Sequence, residues 1–207
     1  YKKFLASCPA PDAPGSKQVA ALMTITGLID APKADKEFLS INGAQGFSTF
    51  YGYYMLEAMA TAGNYQGALD VIREYWGAMI DLGATSFWED FDINWIPNAA
   101  PIDELVPEGK KDIHGDCGAY CYVGFRHSLC HGWASGPTSW LSRHILGVEV
   151  IEPGCRQVRI TPHLGDLQWV KGTFPTPYGE IQIYHEKQAN GNVISEVKAP
   201  KGVSVIK

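Results

Sequence analysis

The residues best placed for chemistry lie in segment 83–91, Gly-Ala-Thr-Ser-Phe-Trp-Glu-Asp-Phe, which directly follows a predicted helix. The segment sets Glu89 among aromatic side chains, which could hold its carboxylate in one rotamer. A carboxylate that is ionised and fixed in position can act as a general base that activates water. The alternative is a solvated carboxylate at a helix end, because Glu is mostly an exposed residue. Spacing alone favours that alternative, and Asp90 and Asp92 are competing candidates.

A second candidate cluster surrounds His131, which has Leu129 and Trp133 nearby. An imidazole here could hydrogen-bond a ligand hydroxyl or orient a carboxylate, although a satisfied core histidine is the commoner case. Ser128 and Ser135 raise the possibility of a serine nucleophile. The sequence has no Gly-x-Ser-x-Gly elbow, so that indication is weak.

Several cysteines, histidines and an aspartate between 114 and 131 raise the possibility of zinc. They are His114, Asp116, Cys117, Cys121, His127, Cys130 and His131. Their spacing does not match the usual zinc ligand pairs, because Cys117 and Cys121 have no matching second pair. We therefore predict no metal, and no cofactor either, since the sequence has no phosphate-binding glycine loop. The five cysteines form no repeated Cys-x-x-Cys pattern, which argues against a full disulfide framework.

Composition limits the class of protein. The chain has 207 residues, 45% of them hydrophobic and 19% charged, which suits one or two globular domains. The net charge is −5 and no basic cluster interleaves with aromatic residues, so we predict no nucleic-acid partner. No apolar run approaches the ~18 residues that a membrane span needs. The first residue is Tyr1 rather than Met, and we expect a C-terminal fragment whose signal peptide, if any, lies upstream.

Helical spacing and capping residues predict the first elements. Ser16 is expected to cap a helix that Pro32 ends. The expected buried face of this helix consists of apolar and small residues at helical spacing: Val19, Leu22, Met23, Thr26 and Ile29.

An antiparallel pair of helices is predicted next. Ser48 is a plausible cap for an aromatic-rich helix over 50–62, and Gly63 suits the left-handed position after it. Asn64 can cap a second helix over 65–82, and Gly83 can stop it. The apolar stripe of this second helix is expected at Tyr65, Leu69, Ile72, Trp76 and Met79.

Residues 92–126 show no clear period, and their aromatic residues favour a loop docked on the domain. Helix is predicted again over 127–146, broken or restarted at Gly136-Pro137 and ended by Gly147. His131 is then expected to lie in a helix.

Beyond Gly147 the hydrophobic period changes from about 3.6 to 2, which indicates strands. Strands are predicted at 158–160, 178–187, 193–197 and 203–205, with a hairpin turn at Asn190-Gly191. The order of helical hairpins followed by antiparallel strands indicates separate α and β domains.

Several of these stretches, taken in order, resemble the C-terminal part of bacterial α-L-rhamnosidases, glycoside hydrolase family 78. The resemblance covers nearly the whole chain and is sharpest at 83–89 and 128–137. Further matching stretches are 16–30, 49–82, 146–148, 153–155, 158–162 and 172–181. The combination in this order is specific, whereas no single piece would be.

The resemblance implies a mainly α chain that ends in β: the C-terminal helices of an (α/α)6 barrel over 1–147, followed by a small antiparallel β-sandwich domain over 148–207. It implies an inverting hydrolase that releases terminal α-L-rhamnose from a rhamnose-containing oligosaccharide or glycoside. Glu89 takes the position of the general base, and His131 matches a sugar-contacting histidine. Trp88 and Trp133 are candidates for the wall of the site.

One departure from the family pattern matters. The acidic Asp-x-x-Arg-Asp-Glu motif that carries the family's general acid is absent from this sequence. We expect it in an upstream part of the same polypeptide, because four helical stretches cannot close a ring of twelve helices. The loop 92–126 is longer than the family minimum, so the cleft could differ in shape. The parent protein is expected in the periplasm or outside the cell.

Two alternatives remain open at this point. The chain could be a non-catalytic carbohydrate-binding or structural module of the same fold. It could also belong to an (α/α)6-barrel glycosidase that acts on another sugar.

Overall fold

A computed structural model describes residues 14–113 and 128–206. The chain divides into two compact units, residues 1–137 and residues 138–207. The described part of the first unit is mainly helical, and the second consists of a short helical segment and strands. The fold is thus mixed, with helices before small sheets, as predicted. Within the described ranges, no helix is long and apolar enough to cross a membrane.

Helix α1, Lys17–Ile25, begins as predicted, because the Ser16 hydroxyl accepts a hydrogen bond from the backbone N–H of Val19. The prediction of its buried face was right for Met23 and wrong for Val19 and Leu22. The buried residues are small or flexible ones at helical spacing: Ala20, Ala21, Met23 and Thr24. They let α1 lie close against a later helix, while Val19, Leu22 and Ile25 remain exposed on another side.

Pro32 does not end α1, which stops at Ile25. It lies instead in the first turn of α2, Ala31–Ala34, where a missing N–H costs nothing. The side chain of Asp30 caps α2 by accepting from the N–H of Lys33, and a π-helical turn, Asp35–Leu39, continues it. The sequence prediction missed this short helix.

Helices α3, Gly52–Thr61, and α4, Tyr65–Val71, are the two helices predicted on either side of a tight turn, and they contact each other. Gly63 has φ of +81°, and the Asn64 side chain accepts from the N–H of Gly67, so both predictions for this turn are confirmed. Ser48 was wrong as a cap, since α3 begins later and the Ser48 hydroxyl is buried without a partner among the described residues.

A π-helical turn, Ile72–Trp76, continues α4 into α5, Gly77–Asp81. The extra residue of a π turn rotates the helix face, and Tyr75 and Trp76 are both buried. Gly83, with φ of +89°, follows the helix end as predicted. The core of this unit is built from methionine, leucine, alanine and aromatic side chains of α1 to α5.

The described part of the long loop, 92–113, is docked against the helical unit. It contains a 3-10 turn, Ile93–Trp95, and two short parallel strands, β1, Ala99–Ala100, and β2, Lys111–Asp112. The N–H of Ile102 donates to the carbonyl of Leu82 over 2.9 Å, which fixes the loop to the end of α5. Residues 114–126 of the predicted loop lie outside the described residues.

The helix predicted over 127–146 was wrong in its first part. Residues 128–131 are not helical, and only a 3-10 turn, Gly132–Ala134, follows. His131 has extended φ and ψ of −133° and 116°. The restart at Gly136 is confirmed, with α6, Gly136–Trp140, continued by a π turn, Leu141–Ile145.

The strands of the second unit form two three-stranded sheets. One contains β3, Val148–Val150, β4, Gln157–Ile160, and β8, Ser204–Ile206. The other contains β5, Trp169–Thr176, β6, Gly179–Lys187, and β7, Val193–Lys198, all antiparallel. The prediction of purely antiparallel strands was wrong for one pair, since β8 lies parallel to β4.

One hydrophobic core joins the two sheets. Its buried members come from the end of the helical segment and from both sheets: Leu146, Val148, Val158, Ile160, Ile181 and Ile183. Alternation along β4 and β6 points these side chains inward and leaves polar residues outside. Two sheets that share one core in this way form a small β-sandwich.

Candidate functional site

The Glu89 segment is paired with the chain after residue 127. The N–H of Glu89 donates to the carbonyl of Ser128 over 2.8 Å, and the N–H of His131 donates to the carbonyl of Phe87 over 2.7 Å. These two bonds hold two irregular segments side by side, although they are about forty residues apart in the sequence. They also use the backbone groups that a helix through His131 would have needed.

Hydrogen bonds fix both the carboxylate and the backbone carbonyl of Glu89. Its carboxylate Oε2 accepts from the backbone N–H of Ser128 over 2.8 Å. Its backbone carbonyl accepts from the Thr49 hydroxyl over 2.5 Å and from the indole N–H of Trp133 over 2.6 Å. The carboxylate is therefore oriented by a backbone donor. Among the described residues, no hydrogen bond to its second oxygen, Oε1, occurs.

Trp88 lies beneath this carboxylate segment in the core. Its side chain is fully buried and meets the ring of Phe91 edge-on, with centroids 5.9 Å apart. The described residues leave no face of the indole open, so its geometry suits packing of the segment rather than contact with a ligand. Its indole N–H is buried without a hydrogen-bond partner in the same described part of the chain.

His131 and Trp133 lie on the accessible side. Their ring centroids are 4.3 Å apart, and the indole is 45% exposed. The backbone N–H of Trp133 donates to Nδ1 of His131 at 3.5 Å. With Nδ1 accepting in this way, Nε2 is the ring nitrogen left to contact a hydroxyl. The structure thus brings Glu89, His131 and Trp133 together around one surface.

An aromatic shelf extends this surface, formed by Phe50, Tyr51, Tyr54 and Trp133. Phe50 joins the other three, with ring centroids at 5.1 Å from Tyr51, 5.9 Å from Tyr54 and 5.6 Å from Trp133. Phe50 and Tyr51 are partly exposed although they adjoin a helix of the core. Sequence reasoning missed the shelf and Thr49. The run of aromatics at 50–54 was the available signal, because one helix face cannot bury all of them.

The competing candidates have other partners. Asp92 caps the 3-10 turn after it, where its Oδ1 accepts from the N–H of Asn94. The Ser128 hydroxyl bonds the backbone of Cys130 rather than the imidazole. The structure therefore gives no support to a serine nucleophile at this position.

No cluster of three potential metal ligands occurs within 14–113 or 128–206. Most residues of the zinc hypothesis, namely His114, Asp116, Cys117, Cys121 and His127, lie outside the described residues. Of the remaining two, Cys130 is a free thiol that receives a hydrogen bond from Ser86 at 3.5 Å.

Comparisons with known proteins bear on the whole chain. Residues 147–206 match the bacterial alpha-L-rhamnosidase C-terminal domain. The structure of the GH78 rhamnosidase of Bacillus sp. GL1 matches with 26% identity and a TM-score of 0.68 over 92% of this chain. This chain is similar to a rhamnosidase of glycoside hydrolase family 78 over nearly its whole length. The family resemblance recognised in the sequence is confirmed.

Two further rhamnosidase structures share the fold. The α-L-rhamnosidase of Aspergillus terreus is 20% identical, with a TM-score of 0.73 over 99% of this chain. The Streptomyces avermitilis enzyme, solved in complex with L-rhamnose, is 18% identical, with a TM-score of 0.71 over 99%. A search of curated protein sequences returned no match.

The relatives in this family are glycosidases, but this chain corresponds to a minor part of each. It spans 18% of the Bacillus protein, 23% of the Aspergillus protein and 19% of the Streptomyces protein. The similarity agrees with the family resemblance predicted from the sequence.

Proposed function

We propose that this chain supplies the general base of an inverting α-L-rhamnosidase, and that Glu89 is that base. The observation that carries the proposal is the fixation of Glu89. Ser128 orients its carboxylate, and Thr49 and Trp133 hold its backbone. A carboxylate held in one orientation beside an accessible aromatic surface supports this role, because a general base must be fixed within reach of the water it activates.

In the proposed reaction, Oε1 of Glu89 takes a proton from water as the water oxygen attacks the anomeric carbon. The glycosidic bond breaks on the opposite side of the sugar, and a second carboxylic acid protonates the leaving oxygen. That acid belongs to an upstream part of the same polypeptide, since this sequence has no matching acidic motif. Inversion follows because water enters from the face opposite the departing group.

His131 and Trp133 are proposed to contact the sugar. The Nε2–H of His131 donates to a hydroxyl, and the exposed ring of Trp133 packs against the C–H face of the pyranose. Trp88 has the supporting role of filling the core under Glu89, which keeps the carboxylate segment in place. The proposed substrate is a rhamnose-containing oligosaccharide or glycoside, in keeping with the L-rhamnose complex of the Streptomyces relative.

Residues 1–147 are proposed to be the last helices of an (α/α)6 barrel, and residues 148–207 its C-terminal β-sandwich domain. The exposed apolar stripe of α1, Val19, Leu22 and Ile25, supports this arrangement. A helix with a second apolar face is stabilised by another helix packed on that face. The proposed neighbours are upstream helices of the same polypeptide.

Activity assays on an aryl α-L-rhamnoside test the proposal. We expect the 207-residue chain alone to be inactive and the longer parent protein to be active. In the parent, Glu89→Gln should lower kcat by about 10²–10⁴-fold, the usual contribution of general acid–base catalysis. Glu37→Gln, at an exposed helical site, is the matched control and should leave kcat unchanged.

Two results would contradict this assignment. Robust turnover by the 207-residue chain would show that no upstream acid is needed. A folded Glu89→Gln parent with near wild-type kcat would remove Glu89 from the role of base. A parent that cleaves another aryl glycoside, but not the rhamnoside, would contradict the proposed substrate while leaving the role of Glu89 open to the same mutation.

A further inference from the structure

The β unit has an open groove of about 830 Å³ on the outer face of the sheet β5–β6–β7. This volume lies within the usual range of small-molecule sites. Strand spacing makes its floor about 10 Å wide, and four residue steps along β5 make it about 14 Å long. The groove lies wholly within the second unit, whereas Glu89 belongs to the first.

The floor consists of side chains in register across three strands. Lys171 pairs with Tyr184, which pairs with Glu196, and Thr173 pairs with Gln182, which pairs with Lys198. These side chains offer ammonium, amide, hydroxyl and carboxylate groups within two rows. Such a set can both donate hydrogen bonds to ligand hydroxyls and accept hydrogen bonds from them.

Trp169 forms an apolar wall at one end of the groove. It is 60% exposed, and its ring lies 6.5 Å from that of Tyr184 with an interplanar angle of 31°. Leaving a large aromatic side chain in water forfeits the free energy of its burial, so an exposed indole on a polar sheet face favours a binding role. The two rings, inclined alike, present an apolar surface beside the polar rows.

The charges of the groove indicate an uncharged ligand. Lys171, Lys198 and Glu196 line it, so that both signs are present and nearly balanced. A further carboxylate, Glu186, lies on the same face in register with Trp169, so two lysines face two carboxylates here. Partial burial and the nearby Glu186 carboxylate raise the pKa of Tyr184. Because the opposite charges lie side by side, the groove offers no net charge that would hold a strongly anionic or cationic ligand.

We infer that this groove is a binding site for a neutral saccharide, separate from the catalytic surface around Glu89. A pyranose has an apolar C–H face and an edge of hydroxyls, which match the Trp169–Tyr184 wall and the polar rows. The site would hold a glycan chain on the β unit. This inference does not depend on hydrolysis by the first unit.

Binding measurements on the 207-residue chain test the inference. The probes are L-rhamnose, a soluble neutral rhamnose-containing oligosaccharide, and polygalacturonate as an anionic comparison, with affinities from calorimetry. Trp169→Ala should weaken binding of the neutral oligosaccharide by about tenfold, the loss expected for one aromatic contact. Trp169→Phe should restore most of it. Val150→Ala, an exposed apolar site on the other sheet, is the matched control and should bind normally.

Trp133→Ala removes a proposed sugar contact at the Glu89 surface, so binding that this variant retains and Trp169→Ala loses belongs to the groove. If binding survives Trp169→Ala and disappears in Trp133→Ala, the inference is overturned. Tight binding of polygalacturonate alone, lost in Lys171→Gln, would overturn the neutral ligand class. Absence of binding by all three probes to a chain with normal circular dichroism would overturn the site itself.

Discussion

Replacing Gly147 with alanine should destabilise the β unit strongly, because two separate costs meet at this residue. Gly147 has φ of +74°, a conformation that costs other residues about 1–2 kcal/mol. An added Cβ would also lie 2.3 Å from the carbonyl carbon of Thr161, 2.4 Å from its oxygen and 2.5 Å from the nitrogen of Pro162. These are backbone atoms, so no side-chain rotation relieves the overlap.

The backbone around Thr161 must therefore move, although its N–H donates to the Gly147 carbonyl over 2.9 Å. Forcing an extra carbon into a packed site costs about 1–3 kcal/mol. The two costs together give an expected loss of about 2–5 kcal/mol in the free energy of unfolding. Urea titration of the 207-residue chain, followed by circular dichroism, measures this loss.

Gly191→Ala is the matched control. Gly191 has φ of +84°, but a Cβ there would meet no atom within 4 Å. It should lose only the conformational part, about 1–2 kcal/mol. If Gly147→Ala costs no more than Gly191→Ala, the backbone at Thr161 moves aside freely and the steric reasoning is refuted.

Three other predictions concern the described contacts. His185 is buried and hydrogen-bonded to the Leu146 carbonyl, and burial lowers its pKa below the usual 6.5. Unfolding therefore takes up a proton below pH 6.5, so stability in urea should fall from pH 7 to pH 5, and fall less in His185→Phe. Glu74 accepts from the backbone at the Gly43 turn and lies 2.6 Å from a Cβ built on Gly43. Glu74→Ala should cost about 1–3 kcal/mol in urea titration, and Gly43→Ala should cost less in that background. Thr49→Val removes one hydroxyl from the site surface at constant shape, and should cost about 1 kcal/mol by the same measurement.

Each of these predictions has a result that opposes it. An equal pH response in wild type and His185→Phe would show that other groups carry the dependence. Strict additivity of the Glu74 and Gly43 substitutions would mean that the two sites do not interact. An unchanged stability in Thr49→Val would show that Trp133 alone holds the Glu89 carbonyl.

Several elements follow from short-range rules. The cap at Ser16, the turn at Gly63-Asn64 and the stop at Gly83 are confirmed, because each depends on residues within one turn of the chain. The hairpin at Asn190-Gly191 is confirmed for the same reason, with Gly191 at positive φ between β6 and β7.

The predictions were wrong where contacts with residues distant in the sequence determine the local structure. Periodicity alone gave α1 a face containing Val19 and Leu22, whereas packing on a neighbouring helix selects alanines that permit closer approach. The segment at His131 carries residues compatible with a helix. The backbone N–H of His131 instead donates to the carbonyl of Phe87, and this hydrogen bond cannot be predicted from neighbouring residues.

The sequence by itself determined the family resemblance, the order of helices before strands and the choice of Glu89 as a candidate base. These depend on residue types, local turns and ordered motifs. Only the tertiary structure decided how Glu89 is held, since the donors from Thr49, Ser128 and Trp133 lie about forty residues away along the chain. It also decided that Trp88 is buried while Trp133 is open, because burial depends on what the rest of the fold places over each ring.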